Sequence, residues 1–280
     1  MQIFHTIAQL QAALNQHRHQ KVALVPTMGN LHEGHLQLVK IAKQHADVVV
    51  VSIFVNPTQF AAGEDFDSYP RTLQADCQQL STVNADMVFA PSVDEMYPIY
   101  PPNVQVLSGE ITQILCGKSR PMHFDGVGLV VSKLFNIVRP DVAVFGKKDY
   151  QQLAIIHKLN NELNFGIKII GGEIVRADDG LALSSRNQYL SASERAIAPV
   201  LSQSLQALAE RIIDADLAAY PSLIDETKAR LTQAGFVVDY VEIYNHHLQQ
   251  PTHTDEQLVI LAAAWLGKAR LLDNLEVLRQ

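Results

Sequence analysis

The feature that most constrains this chain is an alternation along its first 170 residues of short, β-branched apolar runs with longer stretches of helical pattern. The runs are 21–26 (KVALVP), 47–55 (DVVVVSIFV), 86–90 (DMVFA), 141–145 (DVAVF) and 167–170 (IKII). They are apolar at successive rather than alternate positions, so neither face of such a strand is meant for water. That pattern belongs to a parallel sheet covered on both sides. The intervening stretches 34–46, 73–83, 127–138 and 150–163 read as the covering helices. Right-handed crossovers then give an α/β fold, a doubly wound parallel sheet of Rossmann-like kind. Ligands of such sheets bind beyond the carboxyl ends of the strands. The segments after Val25, Val55 and Phe145 are therefore where chemistry is expected.

The pattern changes near residue 174. Ser191-Ala192-Ser193-Glu194 has capping-box spacing and opens a helix expected to run to about residue 217. A second helix is expected over 220–234, and strands over 237–244, 258–265 and 270–277. The division expected is 1–173, a nucleotide- and substrate-binding domain, and 174–280, a smaller C-terminal α+β domain. A chain of 280 residues can bury a core without covalent staples. With 48% hydrophobic and 18% charged residues, disorder is excluded. The net charge of −7 argues against a general nucleic-acid surface. The longest apolar run, 258–266, has nine residues against the roughly 20 that a membrane span needs. Cys77 and Cys116 are too few for a disulfide framework, so a cytoplasmic protein with reduced thiols and no membrane association is expected.

The most informative motif is Pro26-Thr27-Met28-Gly29-Asn30-Leu31-His32-Glu33-Gly34-His35, where the first strand gives way to a helix. Backbone N–H groups at a helix start attract anions. His32 and His35 are three apart and share a helical face. Gly34 between them lets a phosphate approach the backbone. Paired imidazoles can hydrogen-bond charge that develops on a phosphate during displacement. Competing motifs fail on spacing. H-E-G-H is one residue short of the zinc-protease H-E-x-x-H, Gly126-Val127-Gly128 lacks the third dinucleotide glycine, and Gly117-Lys118-Ser119 has Thr112 where a P-loop needs Gly.

Three further segments stand at similar places. In Asn56-Pro57-Thr58-Gln59-Phe60, amides that donate and accept suit a ligand with hydroxyl and carboxylate groups, although Asn-Pro also makes an ordinary turn. In Gly146-Lys147-Lys148-Asp149-Tyr150-Gln151-Gln152, Lys148 can neutralise phosphate and Gln152 lies one helical turn away; alone, the pair of lysines reads as solvated. Leu183-Ser184-Ser185-Arg186 offers two hydroxyls and a guanidinium to phosphate oxygens, or is a polar loop. His17, His19, His246, His247 and His253 read as solvated loop residues, and the role of His123 is open.

H-x-G-H after a first strand resembles the nucleotidyltransferases and class I aminoacyl-tRNA synthetases, and Ser184-Ser185-Arg186 is similar to their second, mobile phosphate-binding motif. The longer strings PTMGNLHEGH, VVSIFVNPTQF, YPRTLQADC, FAPSVDEMYP, VSKLFNIVRPDVAVFGKKDYQQL and RADDGLALSSRNQYL, with VILAAAWLGKARLLDN at 259–274, resemble the pantoate–β-alanine ligase family. The resemblance implies an ATP-dependent ligase that joins pantoate to β-alanine through pantoyl adenylate, releasing AMP and pyrophosphate. It implies Mg²⁺ with the ATP, held mainly by phosphate oxygens and water, and a homodimer. It places Met28, Gly29, Asn30, Leu31, His32, Glu33, Gly34 and His35 at ATP, with His35 as catalytic proton donor to the phosphates. It adds Gly146, Lys147, Lys148, Asp149 and Val175 at the nucleotide, and Leu183, Ser184, Ser185 and Arg186 over the triphosphate. Gln59 and Gln152 would bind pantoate, and Gln59 would also serve β-alanine. Asp76 is a candidate outer ligand of the metal, whose protein ligands are otherwise unknown.

The chain departs from the family pattern at two places. Lys147 stands where the family often has Glu, and Met122 where it commonly has Gly, which would strain Met if that position needs positive φ. Two other readings share the motifs: a nucleotidyltransferase acting on a phosphorylated acceptor, and a nucleotide-binding sensor without turnover. Gln59 and Gln152 favour the ligase over the first. Retention of both histidines, Lys148 and Arg186 argues against the second.

Overall fold

The computed structural model describes residues 1–61 and 63–279. They form two compact units, 1–147 with 155–173, and 148–154 with 174–280.

The first unit is built on a six-stranded parallel sheet. Its strands are β1 (Gln2–Phe4), β2 (Val22–Thr27), β3 (Val48–Ile53), β4 (Met87–Phe89), β5 (Val142–Gly146) and β6 (Lys168–Gly172), in the spatial order β1-β4-β3-β2-β5-β6. Helices α1 (Ile7–Leu14), α2 (Glu33–His45), α3 (Leu73–Thr82), α4 (Val93–Met96), α5 (Leu115–Ser119) and α6 (His123–Val138) precede or connect these strands. The expectation of a doubly wound sheet holds, because the central strands have no polar face. Ala23, Leu24 and Val25 of β2 and Val49, Val50 and Val51 of β3 are all fully buried. Leu36, Val39 and Ala42 of α2 pack with Val25, Val51 and Val144 in one core, the apolar stripe of an amphipathic helix meeting the sheet. The chain runs outward from β2 through β3 to β4, then returns to place β5 on the other side of β2. The strand order reverses between β2 and β5, so their following loops part and leave room for a ligand.

Two details differ from the sequence expectation. β1 is a three-residue strand beside β4, too short to carry a periodic signal. Helix α6 begins at His123 rather than 127, because the Gly126 N–H already donates to the Met122 carbonyl.

The second unit holds the start of α7 (Tyr150–Glu162), then α8 (Ala192–Ile197), α9 (Val200–Ile212), α10 (Tyr220–Gln233) and an antiparallel sheet in the order β7 (Val237–Asn245), β8 (Gln257–Leu266), β9 (Ala269–Leu278). The α+β expectation for this region holds. Leu201, Leu205, Leu208 and Ile212 form one face of α9 and pack in a core with Val241, Ile260, Ala262 and Leu271 of the sheet. Ser191 and Glu194 make the capping box at α8. The single helix expected from there to residue 217 is interrupted, however. Pro199 lacks an N–H and its ring clashes with the preceding turn, so α8 stops at Ile197 and α9 starts afresh at Val200. Asp216 then accepts from the Ala218 N–H and starts a separate 3-10 turn, Leu217–Ala219. Among the described residues no helix is long and apolar enough to cross a membrane.

Candidate active site

The loop after β2 is held by a buried carboxylate. Asp76, 1% exposed on α3, accepts from the Asn30 N–H at 3.1 Å and the Leu31 N–H at 2.8 Å. The Thr72 hydroxyl donates to the same group at 3.0 Å. Both oxygens thus shape the loop, which gives Asp76 a structural role. Gly29 has φ +82, and a Cβ there would lie 3.0 Å from the Asp76 carboxylate and 3.1 Å from Ile53. Only glycine meets both conditions.

The loop delivers two histidines to the start of α2. His32 is the N-cap, and its Nδ1 accepts from the Gly34 N–H at 3.1 Å. His35 reaches back so that its Nδ1 accepts from the His32 N–H at 3.3 Å. The ring centroids are 4.1 Å apart. A backbone N–H can only donate, so each Nδ1 is an acceptor, and in the neutral ring each proton resides on Nε2. The cap therefore fixes the same Nε2–H tautomer in both imidazoles at a helix N-terminus. The Glu33 carboxylate points to Lys40 at 2.6 Å, which leaves its main-chain N–H as the group it contributes at the helix start.

The segment after β3 forms a one-turn 3-10 helix, Pro57–Gln59, capped by Asn56. Asn56 is 1% exposed. Its amide donates to Gln59 Oε1 at 3.0 Å and to the Gly126 carbonyl at 3.2 Å. Its oxygen accepts from Tyr97 at 2.8 Å and from the Thr58 hydroxyl at 3.0 Å. Burial pushes the Tyr97 phenol up to about 12, against the opposing Thr58 bond, so it remains an O–H donor. Of the two amides considered for ligand binding, Asn56 is thus a frame and Gln59 is what it frames. Gln59 Nε2 donates to Met28 Sδ at 3.3 Å, which joins this turn to the loop after β2. Helix α6 lies directly on the turn, because a Cβ at Gly126 would overlap the Thr58 carbonyl.

Beyond β5, Lys147–Asp149 forms a 3-10 turn leading into α7. Lys147 pairs with Glu173 at 2.7 Å, so the lysine found in place of the family's acid has a carboxylate partner of its own. In the second unit, two adjacent residues of β9 grip the remaining candidates. Asn274 donates to the Lys148 carbonyl at 2.8 Å. Asp273 accepts both Nη groups of Arg176, at 2.7 and 2.8 Å, with its side chain 2% exposed. Arg176 belongs to a small hairpin in which Val175 accepts from the Leu183 N–H at 2.9 Å. Ser184 caps the 3-10 turn Ser185–Tyr189 by accepting from the Arg186 N–H, and Asn187 donates to the Ala182 carbonyl at 3.0 Å. Lys148 Nζ is 4.0 Å from Asp149, and Gln152 is half-buried in the first turn of α7.

The first unit therefore brings together residues 28–35, Gln59, Gly146 and Lys147 at the ends of neighbouring strands. The second collects Lys148, Val175 and residues 183–186 about β9. The sequence reading missed Thr72, Tyr97, Arg176 and Asp273. It had no pattern for them: Thr72 acts on Asp76 within one helical turn, and Tyr97, Arg176 and Asp273 act through partners distant in the chain. Among the described residues no group of three or more His, Cys, Asp or Glu could hold a metal ion.

The model of the family described as pantoate-beta-alanine ligase matches residues 2–276. A pantothenate synthetase of Psychrobacter sp. (strain PRwf-1) is 61% identical over 280 residues, covering 98% of this chain and 98% of the relative. The crystal structure of pantothenate synthetase from Thermus thermophilus is similar with a TM-score of 0.90 and 40% identity over 99% of this chain and 100% of that one. That of pantoate-beta-alanine ligase from Francisella tularensis, complexed with beta-gamma ATP and beta-alanine, has a TM-score of 0.82 and 36% identity over 98% and 97%.

Proposed function

The chain belongs to the pantoate–β-alanine ligase family, and we propose that it condenses pantoate with β-alanine in two steps through pantoyl adenylate. A pantoate carboxylate oxygen attacks the α-phosphorus of ATP and pyrophosphate leaves. The β-alanine amine then attacks the acyl carbon, and AMP leaves with the pair of electrons of the acyl–oxygen bond while the amine loses a proton. Activation is needed because a carboxylate oxygen is a poor leaving group until it carries the adenylyl group. Such a route uses no enzyme nucleophile; positioning and charge stabilisation supply the catalysis.

The observation that carries this reading is the His32–His35 cap, which sets two imidazoles in the Nε2–H form at a helix N-terminus whose loop is bonded through Met28 to Gln59. In this reading His35 donates to the phosphates as charge builds, and His32 helps hold them. Main-chain groups of 28–34 and 146–149, with Val175, take the nucleotide. Lys148 and residues 183–186 neutralise the triphosphate. Gln59 and Gln152 hold pantoate. The ATP and β-alanine of the Francisella complex support the same substrates for this chain. Mg²⁺ would travel with the nucleotide on phosphate oxygens and water, where it offsets negative charge. A domain division at 173/174, a homodimer and a cytoplasmic location complete the proposal.

The test is phosphorus NMR of ATP and Mg²⁺ with the purified protein, omitting pantoate or β-alanine in turn. AMP and pyrophosphate should accumulate only with both acids present. ADP and phosphate would overturn the adenylate route.

A further inference from the structure

We infer that His123 is a positioning residue that sets the pantoate-binding turn by holding the main-chain carbonyl of Gln59. This rests on the pantoate role proposed for Gln59. His123 opens α6, and its Nδ1 lies 2.8 Å from the Gln59 carbonyl oxygen. Its Nε2 lies 3.0 Å from Arg120 Nη1. A guanidinium only donates, so Nε2 must accept, which puts the proton of the neutral ring on Nδ1 and aims it at the carbonyl. Arg120 is in turn fixed by a fork of bonds to Glu64, at 2.6 and 2.7 Å. Glu64 Oε2 also accepts from the Ala61 N–H at 3.2 Å, two residues beyond Gln59.

The result is a closed circuit. It leaves Gln59 through its carbonyl, passes through His123, Arg120 and Glu64, and returns to the chain at Ala61. The Gln59 side chain is fixed from the other side by Asn56. With Gly126 closing on Thr58, two residues at the head of α6, His123 and Gly126, bear on where the Gln59 amide points. His123 thereby has the opposite tautomer to His32 and His35, and its bonds to Gln59 and Arg120 both serve the turn after β3 rather than the nucleotide loop after β2. Its loss should change pantoate binding and leave ATP binding alone.

Two isosteric substitutions separate the two bonds. In His123→Asn the amide nitrogen occupies the place of Nδ1 and can still donate to Gln59. In His123→Gln it occupies the place of Nε2 and cannot. The expected result is a pantoate KM about 3- to 10-fold higher in H123Q, the worth of one hydrogen bond, with recovery toward the parent value in H123N. The ATP KM and the melting temperature should be alike in both. Equal pantoate KM values in the two variants, or a matching rise in the ATP KM, would overturn the inference. A second measurement is independent of turnover: imidazole ¹⁵N NMR of the parent protein should show His123 protonated on Nδ1. A ring protonated on Nε2 would refute the circuit, whereas the expected tautomer in a protein that makes no pantothenate would fault the functional reading instead.

Discussion

The backbone N–H of His32 donates to Nδ1 of His35, so a helix cap and a candidate catalytic proton share one side chain. Local structure at this point dictates chemistry. Because Nδ1 is engaged by an N–H, the neutral imidazole presents its proton on Nε2, the form required to hydrogen-bond a phosphate oxygen.

His35→Ala removes that donor and also leaves the His32 N–H without its acceptor. The expected loss in turnover is about 10²-fold or more, with a stability cost of about 0.5–2 kcal/mol from the lost cap. Rate measurements beside urea denaturation separate the two. Unchanged turnover in the folded variant would remove His35 from the mechanism.

Asp76→Asn keeps one acceptor oxygen but turns an NH₂ toward a backbone N–H of Asn30 or Leu31, which can only donate. The expected destabilisation is about 1–3 kcal/mol. The ATP KM should rise with it, since the Asn30 and Leu31 N–H groups lose the anchor that shapes their loop. Denaturation and ATP titration of the same preparation check both.

Met122 has φ +68 and its side chain is 60% exposed. The anticipated strain is present, and little burial offsets it. Met122→Gly relieves an αL cost of roughly 1–2 kcal/mol and adds back part of it as chain entropy. A net gain of about 0.5–1 kcal/mol is expected from those two terms, with pantoate and ATP KM values unchanged. Thermal denaturation is the check.

The Glu64–Arg120 fork gives a pH dependence of defined sign. Burial alone would raise the Glu64 carboxyl, but the Arg120 bonds and charge and the Ala61 N–H outweigh it, so its pKa falls below the ordinary 4.5. A carboxyl depressed in the folded state stabilises fully above its unfolded pKa and loses that contribution as pH falls through the folded value. The stability difference between the parent and Glu64→Gln should therefore be constant near neutrality and close below about pH 4.5. A gap that widened on acidification would contradict the assignment.

The sheet was legible because its central strands carry runs of consecutive apolar residues, a pattern that points to a sheet covered on both faces. The histidine pair, the Gln59 turn and the Ser184–Arg186 segment were legible because each is local in sequence and follows a strand or opens a turn. What escaped were the contacts that hold them. Asp76, singled out for another role, and Tyr97 meet their partners across 45 and 41 residues, and Asp273 meets Arg176 across 97. No periodicity records such contacts. The string ending in Asp273-Asn274 marked the segment but gave no reason for it, which is the grip of β9 on Arg176 and Lys148. Pro199, which breaks the helix expected over this stretch, stands within a long helical pattern on either side.

The most direct test of the central claim follows an oxygen atom. Pantoate labelled with ¹⁸O in its carboxylate is turned over with ATP, Mg²⁺ and β-alanine, and the nucleotide product is read by phosphorus NMR. One ¹⁸O is expected on the phosphorus of AMP, carried there when the acyl–oxygen bond of the adenylate breaks. Unlabelled AMP, or label in inorganic phosphate beside ADP, would contradict the adenylate route.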